Sequence, residues 1–203
     1  MSQAAGLGGR AVPAEDRRAL LLDTAEGVFR RLGYEATTVA ALASAAGVTR
    51  PTVYSYFDSK DAVFRALVDR VRAEFLRLQE RTPSGSPATM VREIVAGYLR
   101  AYTRHDGLLT ILAHQALADP ALREVHDEVF ARAERRNTRF LERLADDGVA
   151  RPVVPPDRIS VAITGLIARF ARLAAAEPDR LEALAGEVSD MYLCLAGIAD
   201  PPD

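Results

Sequence analysis

Hydrophobic positions recur every three to four residues through nearly the whole chain, and that period predicts helices almost throughout. Leu21, Leu22, Ala25, Val28, Phe29 and Leu32 share one broad face of a first helix beginning near Ala14, with Arg17, Arg18, Arg30 and Arg31 on or near its polar side. Gly33 is expected to close it in a left-handed cap. Two short helices supply the partner for that face, one through Val39, Leu42 and Ala43, the other through Val53, Tyr54 and Phe57. A longer helix, capped by Asp58 or Ser59, carries a stripe from Val63 and Phe64 through Val71 and Phe75 to about Glu80. The Thr-Pro-Ser-Gly-Ser-Pro segment from Thr82 to Pro87 breaks the pattern. Further helical stretches follow at about 88–104, 108–117, 120–145, 158–176 and 179–198. Asp119 and Asp157 signal the starts of two of them, and the Asp146-Asp147-Gly148 turn separates those two. No period-two alternation and no internal repeat is visible, so the expected fold class is all-α.

The stretch from Thr37 to Lys60 holds the most specific chemistry. Thr37 or Thr38 can cap the first short helix and leave a hydroxyl and free N–H groups facing outward, where a phosphate oxygen fits. Gly47 permits the positive φ of a tight turn, and Val48 plugs the angle between the helices. Thr49 caps the second short helix, so Arg50, Pro51 and Thr52 form its exposed first turn, where a proline is tolerated. This is the layout of a helix-turn-helix reader of DNA. Arginine pairs with guanine O6 and N7, a proline ring or a threonine methyl rests on a thymine methyl, and hydroxyls serve bases or phosphates. Tyr54 can do either, while Thr38, Thr49, Tyr56 and Lys60 are expected at phosphates. Phe57 reads as core, and a solvated surface charge is the weaker reading of Arg50.

Charge adds little to this picture. The chain carries 26 Lys and Arg against 28 Asp and Glu, a formal charge of −2, which argues against coating nucleic acid through bulk charge. Residues 1–80 hold 11 basic and 10 acidic groups, residues 81–203 hold 15 and 18. A few placed contacts must therefore supply most of any DNA affinity. No run approaches the roughly 18 unbroken apolar residues of a membrane span, so no membrane partner is expected. The first residues lack a charged region followed by an apolar one, and the lone Cys194 sits in an apolar helical pattern. A cytoplasmic location is expected.

Gly33-Tyr34, Thr37-Thr38-Val39, Ala46-Gly47-Val48, Thr49, Thr52-Val53-Tyr54, Tyr56-Phe57 and Ser59-Lys60 together resemble the DNA-binding domain of the TetR family of transcriptional regulators. The likeness covers about residues 14–65. Tyr56 departs from it, since many members carry histidine there, and a phosphate contact survives that change. What the resemblance implies is a dimeric, mostly helical regulator that leaves its DNA operator when a small-molecule effector binds a second domain. On that reading residues 1–13 form a disordered tail, 14–60 the reader, and 61–203 a helical effector-binding and dimerisation domain, with the long helix transmitting movement between the two. A repressor is expected; an activator is the alternative, and a helical small-molecule enzyme a distant one, because no nucleophile with a nearby base and no phosphate-cradling loop emerges.

Within the second domain, Tyr98, Tyr102, His114, Gln115 and Phe130 could line an effector pocket between bundle helices, against the plainer reading of a helical core with tyrosine hydroxyls at its rim. His105, Asp106, His114 and His126 lack the close spacing of a helical metal motif, so neither metal nor cofactor is expected. Charges of both signs crowd the 120–145 stretch and read as a solvated face. The last two helices are apolar on more than one side. Ile163, Leu166, Phe170, Leu184, Val188, Met191, Tyr192 and Leu195 are expected to pack against a second copy in a four-helix interface.

Overall fold

A computed structural model of the chain describes residues 14–80 and 84–199. The expected tail over residues 1–13, and Thr82 and Pro83 of the expected break, lie outside these residues. Among the described residues there are eight α-helices, one short 3-10 turn and no strand, so the fold is all-α. The chain divides into two compact units, one ending at Leu67 and one beginning at Val68. The division falls inside the fourth helix instead of at residue 60, because the first turns of that helix pack into the aromatic core of the first unit.

In the first unit, α1 (Ala14–Ala36), α2 (Val39–Ala45) and α3 (Arg50–Tyr54) assemble with the start of α4 (Lys60–Glu80). Phe29, Phe64 and Leu67 are fully buried, and the Phe64 ring lies edge-on to Phe29 and Tyr34 at centroid distances of 5.3 and 5.0 Å. Phe57 is buried as expected, with the Arg18 guanidinium 5.0 Å above its ring. Gly33 interrupts α1 with φ 76° and ψ 174°, which is not the left-handed cap the pattern predicts, and its carbonyl accepts a hydrogen bond from Thr37 Oγ1 at 2.6 Å. At Gly47, φ is 65°, and the Val48 N–H closes the turn onto the Ala43 carbonyl at 3.0 Å. A side chain at that glycine would be strained, which fixes the angle between α2 and α3.

The second unit is a bundle built on α5 (Pro87–Gln115), which packs against α6 (Pro120–Asp146), α7 (Pro156–Ala176) and α8 (Leu181–Ala196). Two helices were expected where α5 runs unbroken through Gly107. A mid-helix glycine costs about 1 kcal/mol relative to alanine. That cost is outweighed here, because Tyr102, His105, Leu109 and Leu112 continue the buried stripe across the glycine at helical spacing. Arg92–Asp190 at 2.9 Å and the two-pronged Arg100–Glu182 pair at 3.0 and 2.7 Å tie α5 to α8 along their outer edges. The segment after α6 closes the end of α8: Arg151 N–H donates to the carbonyls of Ala196 and Gly197 at 3.0 and 3.2 Å, and Val153 N–H to that of Leu195 at 3.0 Å. Gly197 permits this approach, having φ 60° and no Cβ.

Candidate functional site

The exposed ridge of the first unit is built by two N-caps. Thr38, extended at φ −127° and ψ 156°, accepts a hydrogen bond from Ala41 N–H at 3.2 Å and is the cap of α2, whereas Thr37 is buried. Thr49 caps α3, accepting from Thr52 N–H at 3.4 Å, and its hydroxyl meets that of Thr52 at 2.9 Å. These bonds fix the first turn of α3 without covering it. Arg50 and Pro51 are exposed at its tip, Thr52 is half-buried, and Tyr54 is 53% exposed. Thr38, Arg50 and Tyr54 border one shallow depression with Val39 and Ala40. Three of the eight residues expected at DNA thus surround a single concave surface, and Pro51 and Thr52 adjoin it in sequence.

Tyr56 and Lys60 lie off that depression. Tyr56 is half-buried. Lys60 donates from Nζ to the carbonyls of Tyr34 and Glu35 at 3.0 and 3.2 Å and sits 4.7 Å from the centre of the Tyr34 ring. Its charge is thereby held in a fixed place while one of its three N–H donors remains for another partner. Tyr34, absent from the expected site, organises this corner: its hydroxyl donates to Asp61 at 2.6 Å, and burial together with that carboxylate pushes its pKa well above the usual tyrosine range.

In the second unit a cavity of about 640 Å³ opens between α4, α5, α6, α7 and α8. Tyr98 and Tyr102 line it, as expected. His114, Gln115 and Phe130 do not, which corrects three of the five expected pocket residues. Because α5 is unbroken, His114 and Gln115 are carried to its far end, where His114 is exposed and the Gln115 carbonyl accepts from Asp119 N–H at 3.0 Å. Phe130 packs on Tyr102 at 5.8 Å and on His126 at 4.6 Å without reaching the cavity. The remaining walls come from Met90 and Ile94, which share the spacing-four row of Tyr98 and Tyr102 on α5, and from residues the sequence did not single out: Gln79 on α4, Asn137 and Phe140 on α6, Ser160 and Thr164 on α7. Asn137 and Phe140 follow Ala133 at helical spacing, a signal hidden by the charges around them on α6. Burial pushes Tyr98 up to about 12 and Tyr102 further, so both hydroxyls are neutral at ordinary pH.

The histidines are engaged elsewhere. His105 is buried with Nε2 3.0 Å from Glu74 Oε2, while the other oxygen of that carboxylate, Oε1, accepts from Arg104, and His126 Nδ1 lies 3.2 Å from Asp127.

The expected interface residues split into two sets. Leu184, Val188 and Tyr192 are buried inside the chain itself, as is Ile163, and both Ile163 and Tyr192 line the cavity. Those four are covered by the chain's own packing, Ile163 on α7 and the other three on the face of α8 that lies against α5 and α7. Leu166, Phe170, Met191 and Leu195 are only half-buried. Beside them on α7 lie Val161, 53% exposed, and Leu173, 39% exposed, with Ala162 and Gly165 also open. Among the described residues α7 alone is long and apolar enough, by length and composition, to cross a membrane, with a mean hydropathy of 1.6 over its most apolar stretch. Arg169 and Arg172 interrupt it, and it packs against α5, α6 and α8 as a helix of the bundle.

Comparison with known proteins follows the division between the units. Residues 21–67 match the profile of the bacterial regulatory proteins of the tetR family. Over 149 residues the chain is 30% identical to the HTH-type transcriptional repressor NicS of Pseudomonas putida, covering 72% of this chain and 66% of that protein. The chain thus spans just under two thirds of that relative. A structure described as a complex of SmeT with triclosan is 27% identical, with a TM-score of 0.64 over 88% of this chain and 90% of that one. A TetR-like transcriptional regulator from Rhodococcus sp. RHA1 shares the fold at a TM-score of 0.75 and 24% identity, over 92% of this chain and 99% of its own.

Proposed function

We infer, from the premise that this chain belongs to the tetR family of bacterial regulatory proteins, that it is a DNA-binding transcriptional repressor acting in the cytoplasm as a homodimer. The observation that carries this reading is the capped, exposed tip of α3: Arg50 shares one concave surface with Thr38 and Tyr54, and the exposed Pro51 follows it in the same turn. Two such tips, spaced about one helical turn of DNA (~34 Å) apart, read successive major grooves of a palindromic operator. Arg50, Pro51 and Thr52 contact bases, Tyr54 serves bases or phosphate, and Thr38, Thr49, Tyr56 and the fixed Lys60 ammonium hold phosphates.

The cavity of the second unit takes a small-molecule effector. Its volume lies within the range of drug-sized ligand sites, and it combines apolar walls with a few convergent polar groups. The structure of SmeT, 27% identical to this chain, is a complex with triclosan, which supports a small-molecule site in a chain of this kind. Effector binding releases DNA by favouring a state of the dimer that the operator does not fit, which requires different effector affinities for the two states. The second copy packs on the outer face of α7 and α8, around Val161, Leu166, Phe170 and Leu173 with Met191 and Leu195, in a four-helix contact. Selection of bound sequences from random DNA tests the reading. A palindrome with half-sites about 10 base pairs apart supports it, and recovery of no enriched sequence counts against it.

A further inference from the structure

The cavity has two unlike walls. The wall on α6, α7 and α8 is chemically closed: the Tyr192 hydroxyl donates to Asn137 Oδ1, Asn137 Nδ2 donates to Ser160 Oγ at 3.0 Å, and that hydroxyl donates to the Pro156 carbonyl at 2.9 Å. The wall on α4 and α5 is not. Gln79 lines the cavity and is 3% exposed, yet neither its amide oxygen nor its amide nitrogen has a hydrogen-bond partner among the described residues. Tyr98 stands close enough for the amide to offset part of its burial-driven rise, without completing a bond of ordinary geometry. A buried amide held this way forfeits the hydration of both ends, a cost that native cores avoid unless a partner is to be supplied.

We propose that Gln79 is the polar anchor for the effector, and that the effector is an uncharged, mainly apolar molecule with a donor and an acceptor on one planar edge: a primary carboxamide, a lactam or a cyclic imide. This rests on the reading of the cavity as the effector site. A glutamine amide offers donors and an acceptor in one plane, so a group of the opposite order pairs with both ends at once. A carboxylate would set its oxygens against Oε1. A ketone or ether leaves Oε1 unpaired, and an alkyl chain leaves both ends unpaired. The terminal torsion of glutamine is broad, so the amide turns toward an occupant at little cost. The charged lining residues, Arg136, Arg139, Glu142, Arg143 and Asp146, are all exposed on α6, which keeps formal charge out of the interior. Met90, Ile94, Phe140 and Ile167 receive the apolar body.

Three probes test this in the full chain by calorimetric titration: para-butylbenzamide, its N,N-dimethyl derivative and para-butylbenzoate. The primary amide should bind at least about tenfold tighter than the other two, and Gln79→Met should shrink that preference to less than about threefold. Without any probe, Gln79→Met should melt about 2–6 °C higher than the parent, since a thioether needs no partner. Equal affinity for all three probes, a preference that Gln79→Met leaves intact, or a lower melting temperature for Gln79→Met overturns the assignment. If none of the probes binds while selected DNA still does, the assignment falls and the regulator reading stands. If the amide preference appears in a chain that selects no DNA, the assignment stands and the regulator reading falls.

Discussion

Replacing Val161 with aspartate should split the dimer without unfolding the chain. Val161 is 53% exposed near the start of α7, whereas Leu184 and Val188 on α8 are 2% and 0% exposed. Fully burying a valine is worth about 1.5–3 kcal/mol, so the half that remains exposed contributes about 1 kcal/mol per copy. Two-fold symmetry repeats the contact, giving about 2 kcal/mol per dimer, or roughly 30-fold in the dissociation constant. An aspartate facing an apolar partner adds further cost, reduced by the exposed Arg158 one turn before it, for a total of at least about 10²-fold. Sedimentation velocity over a concentration series reads the shift directly, and far-ultraviolet circular dichroism shows whether the fold is kept. A Val161→Asp chain that remains folded and sediments as the parent dimer would refute the placement of the interface on this strip. Val188→Asp serves as the contrast: it should unfold the second unit, because no route to solvent exists for its side chain.

Gly197→Ala places a Cβ 2.2 Å from the Arg151 carbonyl oxygen at a φ of 60°, so the loop that closes α8 must move. The expected cost is about 2–4 kcal/mol, read as a melting temperature lower by roughly 5–12 °C. Lys60→Met removes two carbonyl hydrogen bonds and the contact with the Tyr34 ring. It should lower stability by about 1 kcal/mol and reduce the salt slope of DNA binding by about one; a slope equal to the parent's would show that the ammonium serves only the corner of α1. At alkaline pH the four tyrosines with raised pKa values set the trend. Tyr98 titrates near 12, and Tyr34, Tyr102 and Tyr192 are displaced further, chiefly by burial. The folded chain keeps protons that the unfolded chain releases near pH 10, so stability is level below about pH 10 and declines as pH rises toward 12 and beyond. Urea midpoints between about pH 9 and 11.5 should show that decline, shallower in Tyr98→Phe.

The reader was legible because its constraints are local. Thr49 before Arg50-Pro51, Gly47 before Val48, and Phe57 after Tyr54 each have a geometric reason within a few residues, and the structure places caps, turn and core accordingly. The cavity was less legible because its walls are joined across five helices. Tyr98 and Tyr102 could be picked out by type, but Gln79 could be recognised only once the absence of a partner was visible. Asn137 lay in a run of charges that reads as a solvated face, and its bond to Tyr192 spans two helices distant in sequence. Periodicity found both terminal helices and could not tell inward from outward. Tyr192 and Val188 look no different in sequence from Val161, and only the packing of α8 on α5 separates them. Gly107, a breaker by type, sits inside α5 because the apolar stripe on either side of it is strong enough to hold the helix.

The most direct test of the account is a mobility shift with the selected operator and with unrelated DNA, comparing the parent with Arg50→Ala at fixed salt. Loss of paired hydrogen bonds to a guanine should weaken operator binding by about 1–3 kcal/mol, roughly 5- to 150-fold, relax the preference at one base position, and leave binding to unrelated DNA nearly as it was. Equal operator binding by the two chains would contradict the claim that the exposed tip of α3 reads sequence.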